Sequence, residues 1–475
     1  MNFIVYDVIL LIVFAIFISA FLYRRRENIK KEGFLLLYKT NWGVRLIERI
    51  GGKHEKLLNF LSYVSVIVGF FLMGTMIYLF GKMVWMYIFR SDIISLVKVP
   101  PIMPLLPYVP QIFQLDYLPP FYFIYWIIII AIVAISHEVA HGIFAVNKKV
   151  KIKTTGFGFF PYFLPVFLAA FVELDEKKMQ KKKIFPQMAI LSAGTFANVI
   201  IGILFLLILI LFFSLAFSPS GVVYDTYMYS AVGLAGISSV NNFSIQNASY
   251  EKVLTSISDE GINEIIVNGE KYFATKSFIE KQTENKEYIL LYNDAPAVRT
   301  RLGDTIIKIN GVTIYSREKL AEEILKYSPG EKVIITTLEN NSLKDYEIIL
   351  DKSSDNESVP YLGIGFIVTE SSGVLGSAMK MLSSFKDSNL YYKQNFDGAE
   401  IIYNLLWWLV LISFSVALMN MLPVGIFDGG QFFYLAILGI TKSKVKAKKM
   451  FSFMTYLFLF LLLVIMIFWG INLFK

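Results

Sequence analysis

Six apolar stretches, at about 3–22, 60–89, 121–146, 186–217, 401–423 and 450–472, are each long enough to cross roughly 30 Å of hydrocarbon. Backbone polar groups inside a bilayer must be satisfied within the segment, so such stretches can only be helices. The chain therefore reads as a polytopic α-helical membrane protein. A 56% hydrophobic content and a mean hydropathy of +0.57 exclude an ordinary soluble protein. The stretch 186–217 is longer than needed and is expected to tilt or project. The first stretch has the length of a signal peptide but no positive start. Arg24-Arg25-Arg26 follow it directly, so it reads as an uncleaved anchor.

Four basic loops, Arg24–Lys31, Lys148–Lys153, Lys177–Lys183 and Lys442–Lys449, fall on one side if all six stretches span. The positive-inside rule makes that side cytoplasmic. The N-terminus, the loop 91–120 and the long region 219–399 are then outside, in a multi-pass protein of the cell membrane. Acidic residues outnumber basic ones in 219–399, so the net charge of +8 belongs to loops facing anionic lipid, and no nucleic-acid partner is implied. Without cysteine, disulfides and thiolate metal ligands are excluded.

Region 219–399 has the composition of a soluble α+β domain inserted between spans. Strands are expected at Thr305–Ile309, Val312–Ile314, Lys332–Leu338 and Tyr346–Leu350, with an Asn310-Gly311 turn between the first two. Ser316 can cap a helix with Leu320, Ile324 and Leu325 on one face. Val240-Asn241-Asn242-Phe243-Ser244-Ile245 parallels Ile309-Asn310-Gly311-Val312-Thr313-Ile314, and Ser249 stands near a helix start much as Ser316 does. Two modules, 219–292 and 293–371, would follow from a duplication; chance similarity is the alternative.

The third stretch carries His137-Glu138-Val139-Ala140-His141. Histidines four apart share a helix face and can reach one metal ion, and a glutamate between them can act as general base toward a water there. The plainer alternative is a packed histidine pair with Glu138 in a salt bridge. Charge is costly in hydrocarbon, so its presence favours function. His137 lies about ten residues before the cytoplasmic end of its span, roughly 15 Å deep at 1.5 Å per residue. A catalytic zinc needs a third protein ligand. The candidates are His54, Glu173, Asp175, Asp397 and Asp428. His54 sits in a charged loop, Glu173 and Asp175 border a basic loop, and Asp397 lies at the outer end. Asp428 follows the helix-breaking Asn420-Met421-Leu422-Pro423-Val424-Gly425 and can reach that depth on a broken helix.

Gly194 in the fourth stretch allows close helix approach, and Asn198 places an amide in the interior. That amide either bonds between helices or holds substrate or an oxyanion. The apolar run 156–165, broken by glycines and prolines, reads as a re-entrant hairpin or loop. It either packs or offers an edge strand to an unwound substrate.

His137-Glu138-Val139-Ala140-His141, the pair Gly194 and Asn198, and Asn420…Pro423…Asp428-Gly429 together resemble the site-2 protease family of intramembrane zinc metalloproteases. The inserted region resembles PDZ domains, most closely over 293–370. The resemblance implies one Zn2+ per chain held by His137, His141 and Asp428. It implies Glu138 as general base and Asn198 against the substrate backbone, with Asn420 and Pro423 shaping the helix break. Thr195 stands where the family often has proline. The implied activity is peptide hydrolysis within transmembrane segments of other membrane proteins already shortened by an earlier cut. The extracytoplasmic PDZ-like domain would act as a gate. The organisation expected is an anchor helix and basic loop (1–59), a second helix and outer loop (60–120), catalytic core (121–218), inserted domain (219–399), catalytic core (400–440) and a C-terminal helix (441–475). A metal or ion transporter, or a non-catalytic PDZ scaffold, is the rival reading; neither needs Glu138 between zinc-ligating histidines.

Overall fold

A computed structural model describes residues 3–32, 35–90, 105–115, 118–159, 168–282, 287–354, 356–367 and 384–473. The chain divides into two compact units, Met1–Phe212 with Glu400–Lys475, and Phe213–Ala399.

Among the described residues of the first unit, six helices are long and apolar enough to cross a membrane: α1 (Phe3–Arg24), α3 (Glu55–Phe89), α4 (Phe123–Asn147), α5 (Ile184–Ala216), α8 (Ala399–Asn420) and α10 (Lys444–Leu473). They match the six apolar stretches and fit a polytopic membrane protein. Their outer faces carry exposed apolar residues, among them Ile16, Phe71, Leu207 and Phe460, as hydrocarbon contact demands. The α4 helix is embedded. Phe123, Trp126, Ile129 and Val133 pack against Trp408, Leu409 and Ile412 of α8. The short helix α2 (Val44–Lys53) lies on the other end of α4. A Cβ at Gly51 would fall 2.7 Å from Val146, and one at Gly142 would fall 2.9 Å from Ile47, so small residues on both helices permit this approach.

Four antiparallel strands complete the unit in the order β1 (Ile29–Glu32), β2 (Leu35–Thr40), β3 (Ile152–Phe159) and β4 (Leu168–Leu174). Tyr38 pairs with Phe157, and Gly156 with Phe171. Of the run 156–165, expected as a re-entrant hairpin or loop, residues 156–159 belong to β3, which pairs with β4, and residues 160–165 lie outside the described residues. The other two strands, β1 and β2, come from the stretch read as a basic loop. A Cβ at Gly156 would sit 2.2 Å from the Tyr38 carbonyl oxygen, so only glycine permits that β2–β3 approach.

Among its described residues the second unit holds two six-stranded sheets, each with its own core. The first sheet runs β7 (Tyr229–Gly233), β12 (Tyr288–Asn293), β11 (Glu270–Ala274), β10 (Asn263–Val267), β8 (Ile237–Val240) and β9 (Phe243–Ser244). The second runs β16 (Ser342–Ile349), β15 (Lys332–Glu339), β13 (Thr305–Ile309), β5 (Phe217–Val223) and β20 (Leu390–Gln394), with β14 (Val312–Thr313) on β13. Two small pairings stand apart from both: β17 (Asp351–Lys352) with β18 (Pro360–Tyr361), and β19 (Ile364–Gly365) with β6 (Thr226–Tyr227).

The two segments aligned as a repeat fold alike. Asn241-Asn242 and Asn310-Gly311 both take left-handed φ, the geometry of tight two-residue hairpin turns. The Asn241 backbone N–H donates to the carbonyl of Glu264, and that of Asn310 to Ile334, each at 2.8 Å. Their side-chain oxygens accept from the N–H groups of the same two residues. Ser249 caps helix α6 (Tyr250–Ser256) and Ser316 caps α7 (Arg317–Ile324), each accepting from the residue three along. Each helix leads into a hairpin, β10–β11 or β15–β16. The face expected on α7 differs in one place: Leu320 is buried, whereas Leu325 at the helix end is exposed. Glu323 takes the inward position and ion-pairs with Lys326.

Candidate metal centre

Helical spacing puts His137 and His141 one turn apart on the same face of α4. Their Nε2 atoms are 3.0 Å apart, and Asp428 Oδ2 lies 3.2 Å from each. Asp428 opens helix α9 (Asp428–Thr441), after α8 breaks at Asn420. The reversal between the helices is tight. Cβ atoms at Gly429 and Gly430 would meet the backbone of Met421 and Val424 at 2.4 Å, and Pro423 is buried within the turn. The sequence Asn420…Pro423…Asp428-Gly429-Gly430 thus returns the aspartate to the depth of the histidines.

One face of α5 builds the back wall. Ile190, Gly194 and Asn198 recur every four residues. His141 Nδ1 lies 2.7 Å from the Ile190 carbonyl oxygen, which can only accept. Nδ1 therefore carries the proton, and a lone pair on Nε2 points into the site. The Asn198 amide lies 3.1 Å from His137 Nδ1. Gly194 faces the ligand atoms themselves: a Cβ there would fall 2.4 Å from His141 Nε2 and 2.6 Å from His137 Nε2. Close helix approach, expected at this glycine, is thus only part of its use, because any side chain would fill the space the ligand atoms surround.

Donors held at 2.0–2.1 Å with tetrahedral angles sit roughly 3.3 Å apart. The spacing found here fits a zinc-sized ion. Two imidazoles and one carboxylate leave the fourth position open, the donor set of a catalytic rather than a structural site. Among the described residues, these three form the group able to hold a metal ion.

The other candidate ligands lie elsewhere. His54 is exposed between α2 and α3. Asp175 caps a short helical turn by accepting from the Lys178 N–H. Asp397 is exposed in a turn before α8. Lys39 and Thr154 donate to Glu173, and the Lys39 ammonium holds its carboxyl below the usual range.

Glu138 bonds to the sheet. Its Oε2 accepts from the backbone N–H of Val172 on β4 at 2.9 Å. This N–H lies on the edge of β4 that faces away from β3, an anchoring the sequence did not reveal because β4 begins in an apolar run with no strand alternation. Two cavities meet at Glu138 and Asp428. One, of about 380 Å³, is walled mainly by apolar residues including Ile130, Val133, Ala170, Ile412 and Val416. The other, of about 390 Å³, carries Glu173, Glu176, Gln187 and Gln431. Asn198 lines neither of them; it is buried behind His137.

A helix-borne histidine pair with an intervening glutamate, completed by a distant aspartate among membrane-length helices, defines a metallopeptidase-like centre. The model of peptidase family M50 matches residues 125–465, and the chain belongs to that family, the site-2 protease family its motifs resemble. It is similar to the zinc metalloprotease RasP of Shouchella clausii (strain KSM-K16), with 25% identity over 200 residues, covering 36% of this chain and 48% of that protein. The chain thus spans about half the length of this curated relative.

Proposed function

We propose that the chain is an intramembrane zinc metalloprotease that hydrolyses peptide bonds in transmembrane segments of other membrane proteins. The observation that carries this is the convergence of His137 Nε2, His141 Nε2 and Asp428 Oδ2 beside Glu138, on a helix of membrane-spanning length. Zinc, when bound, supplies Lewis acidity that eases deprotonation of a water and polarises the scissile carbonyl. Glu138 takes the proton as the water oxygen bonds to the carbonyl carbon, then gives it to the leaving amine as the C–N bond breaks. The Val172 N–H holds the Glu138 carboxylate in place. The apolar cavity suits a substrate segment arriving from lipid, and the polar one suits water. Apart from the Val172 N–H that Glu138 occupies, the outer edge of β4 is where a strand from an unwound substrate would pair.

The two similar strand–turn–helix units of 213–399 support a PDZ-like reading, and the basic loops support an extracytoplasmic placement with the site toward the cytoplasm. Such a domain would sort substrates already shortened by another protease. Glu138→Gln tests the central claim in purified protein with a transmembrane substrate: zinc content should stay at one per chain while cleavage is abolished. Full cleavage in that variant, or a wild type that binds no zinc, would overturn the proposal.

A further inference from the structure

Asn198 is fully buried, yet it lines neither cavity at the centre. Its amide nitrogen lies 3.1 Å from His137 Nδ1, and its Oδ1 has no hydrogen-bond partner among the described residues. Oxygen and nitrogen of an amide are nearly the same size, so its orientation must be assigned from the partners. Here only one end has a partner, and His137 alone decides.

A histidine that ligates through Nε2 keeps its neutral-form proton on Nδ1, and that N–H requires an acceptor. An amide NH2 in that place would oppose donor to donor. Only Oδ1 satisfies Nδ1–H. We propose that Asn198 is a positioning residue for the metal centre: its Oδ1 accepts from His137 Nδ1–H, fixing the ring's tautomer and aim as the Ile190 carbonyl does for His141. The two acceptors stand eight residues apart on α5, with Gly194 midway, so one helix face orients both imidazoles and leaves room between them. This assigns Asn198 to the ligands and leaves the substrate to other groups. It rests on the zinc-site reading above.

Zinc affinity separates the possibilities, measured by competition with a chromophoric chelator on detergent-purified protein. Asn198→Leu removes the acceptor at similar volume and should bind zinc about 10–100-fold more weakly than wild type. Asn198→Asp keeps an acceptor and should match or exceed wild-type affinity. Unchanged affinity in Asn198→Leu, with reduced cleavage, would overturn the inference and return the amide to the substrate. Weakened binding in Asn198→Asp would overturn it too, because the amide would then act as donor. If Asn198→Leu does not fold, the Asp variant alone decides by the same criterion. A wild type without zinc would instead sink the underlying function, a result distinct from either of these.

Discussion

Asp7 of α1 accepts a hydrogen bond from the backbone N–H of Phe123, the first residue of α4, at 2.7 Å. Its other oxygen, Oδ1, accepts from the Ile124 N–H at 3.0 Å, and the Tyr108 hydroxyl donates to Oδ2, the oxygen that Phe123 also reaches, at 2.6 Å. Tyr122, in the N-cap position of α4, makes no side-chain cap. The cap is supplied instead by a carboxylate more than a hundred residues earlier. A buried acidic group is expensive in a membrane helix unless it is paired, and three donors together with the positive end of α4 satisfy this one. The first helix is therefore more than an anchor, since it fixes the start of the helix that carries His137 and Glu138.

Asp7→Ala leaves two backbone N–H groups and a hydroxyl unsatisfied in a buried place. Each such loss costs about 1–3 kcal/mol, partly recovered if water enters. A destabilisation of about 3 kcal/mol is expected, read as a lower thermal midpoint of the purified protein. Asp7→Asn keeps one acceptor oxygen and should fall between. Asp397→Ala, at an exposed turn, should match wild type.

At Gly194 the prediction concerns the metal alone. An added methyl would overlap the His137 and His141 nitrogens at 2.4–2.6 Å. Neither ring can move off without stretching its hydrogen bond to Ile190 or Asn198, which stand on the same face of α5 as Gly194. Gly194→Ala should purify as a folded protein with zinc reduced well below one per chain by elemental analysis. Gly74→Ala, at a helical position with nothing within 4 Å, is the matched control and should retain its zinc.

Val172 tests the anchoring of Glu138 through the backbone. Proline removes one N–H, and on a sheet edge it is tolerated where that N–H faces away from the ladder. Val172→Pro should keep zinc and fold while kcat/KM falls roughly tenfold or more, since a misplaced base loses its alignment. Val172→Ala keeps the N–H and should stay near wild type. Equal losses in the two would assign the effect to the side chain and refute the anchoring.

Much of this architecture was legible in the sequence because hydrocarbon leaves so few choices. Apolar runs of sufficient length had to be helices, and the histidine spacing put two ligands on one face. Asp428 could be weighed because Pro423 and the glycines around it break the helix. The strands β1 and β2 were not legible. Arg24–Lys31 reads as a basic loop by charge, and the apolar Leu35-Leu36-Leu37 has no period-2 pattern; β2 is a strand through its pairing with β3, more than a hundred positions away, and β1 through its pairing with β2. Asp7 was likewise invisible as a cap, since helix-start signals are sought beside the helix and its partner is remote. The place of Asn198 behind His137 depends on how α5 is rotated, which a uniformly apolar helix does not announce.

In the second unit, Gly363 separates backbone strain from crowding. Its φ is +85°, and a Cβ there would lie 2.2 Å from that of Ala295. The Leu362 carbonyl accepts from Ala297 N–H, and the Gly363 carbonyl from Met228 N–H, so the chain cannot simply swing away. Gly330 has the same φ with nothing within 4 Å. Alanine at Gly330 therefore faces only the left-handed penalty, about 1 kcal/mol. Alanine at Gly363 adds overpacking against Ala295, about 1–3 kcal/mol more. Urea unfolding of a 213–399 fragment should show the Gly363→Ala midpoint shifted at least twice as far as that of Gly330→Ala. Gly363→Ala in combination with Ala295→Gly should recover most of the difference, because the second change removes the atom in the way. Equal shifts in the two single variants would mean that the connection at 362–363 yields, and that the approach to Ala295 is not what holds it.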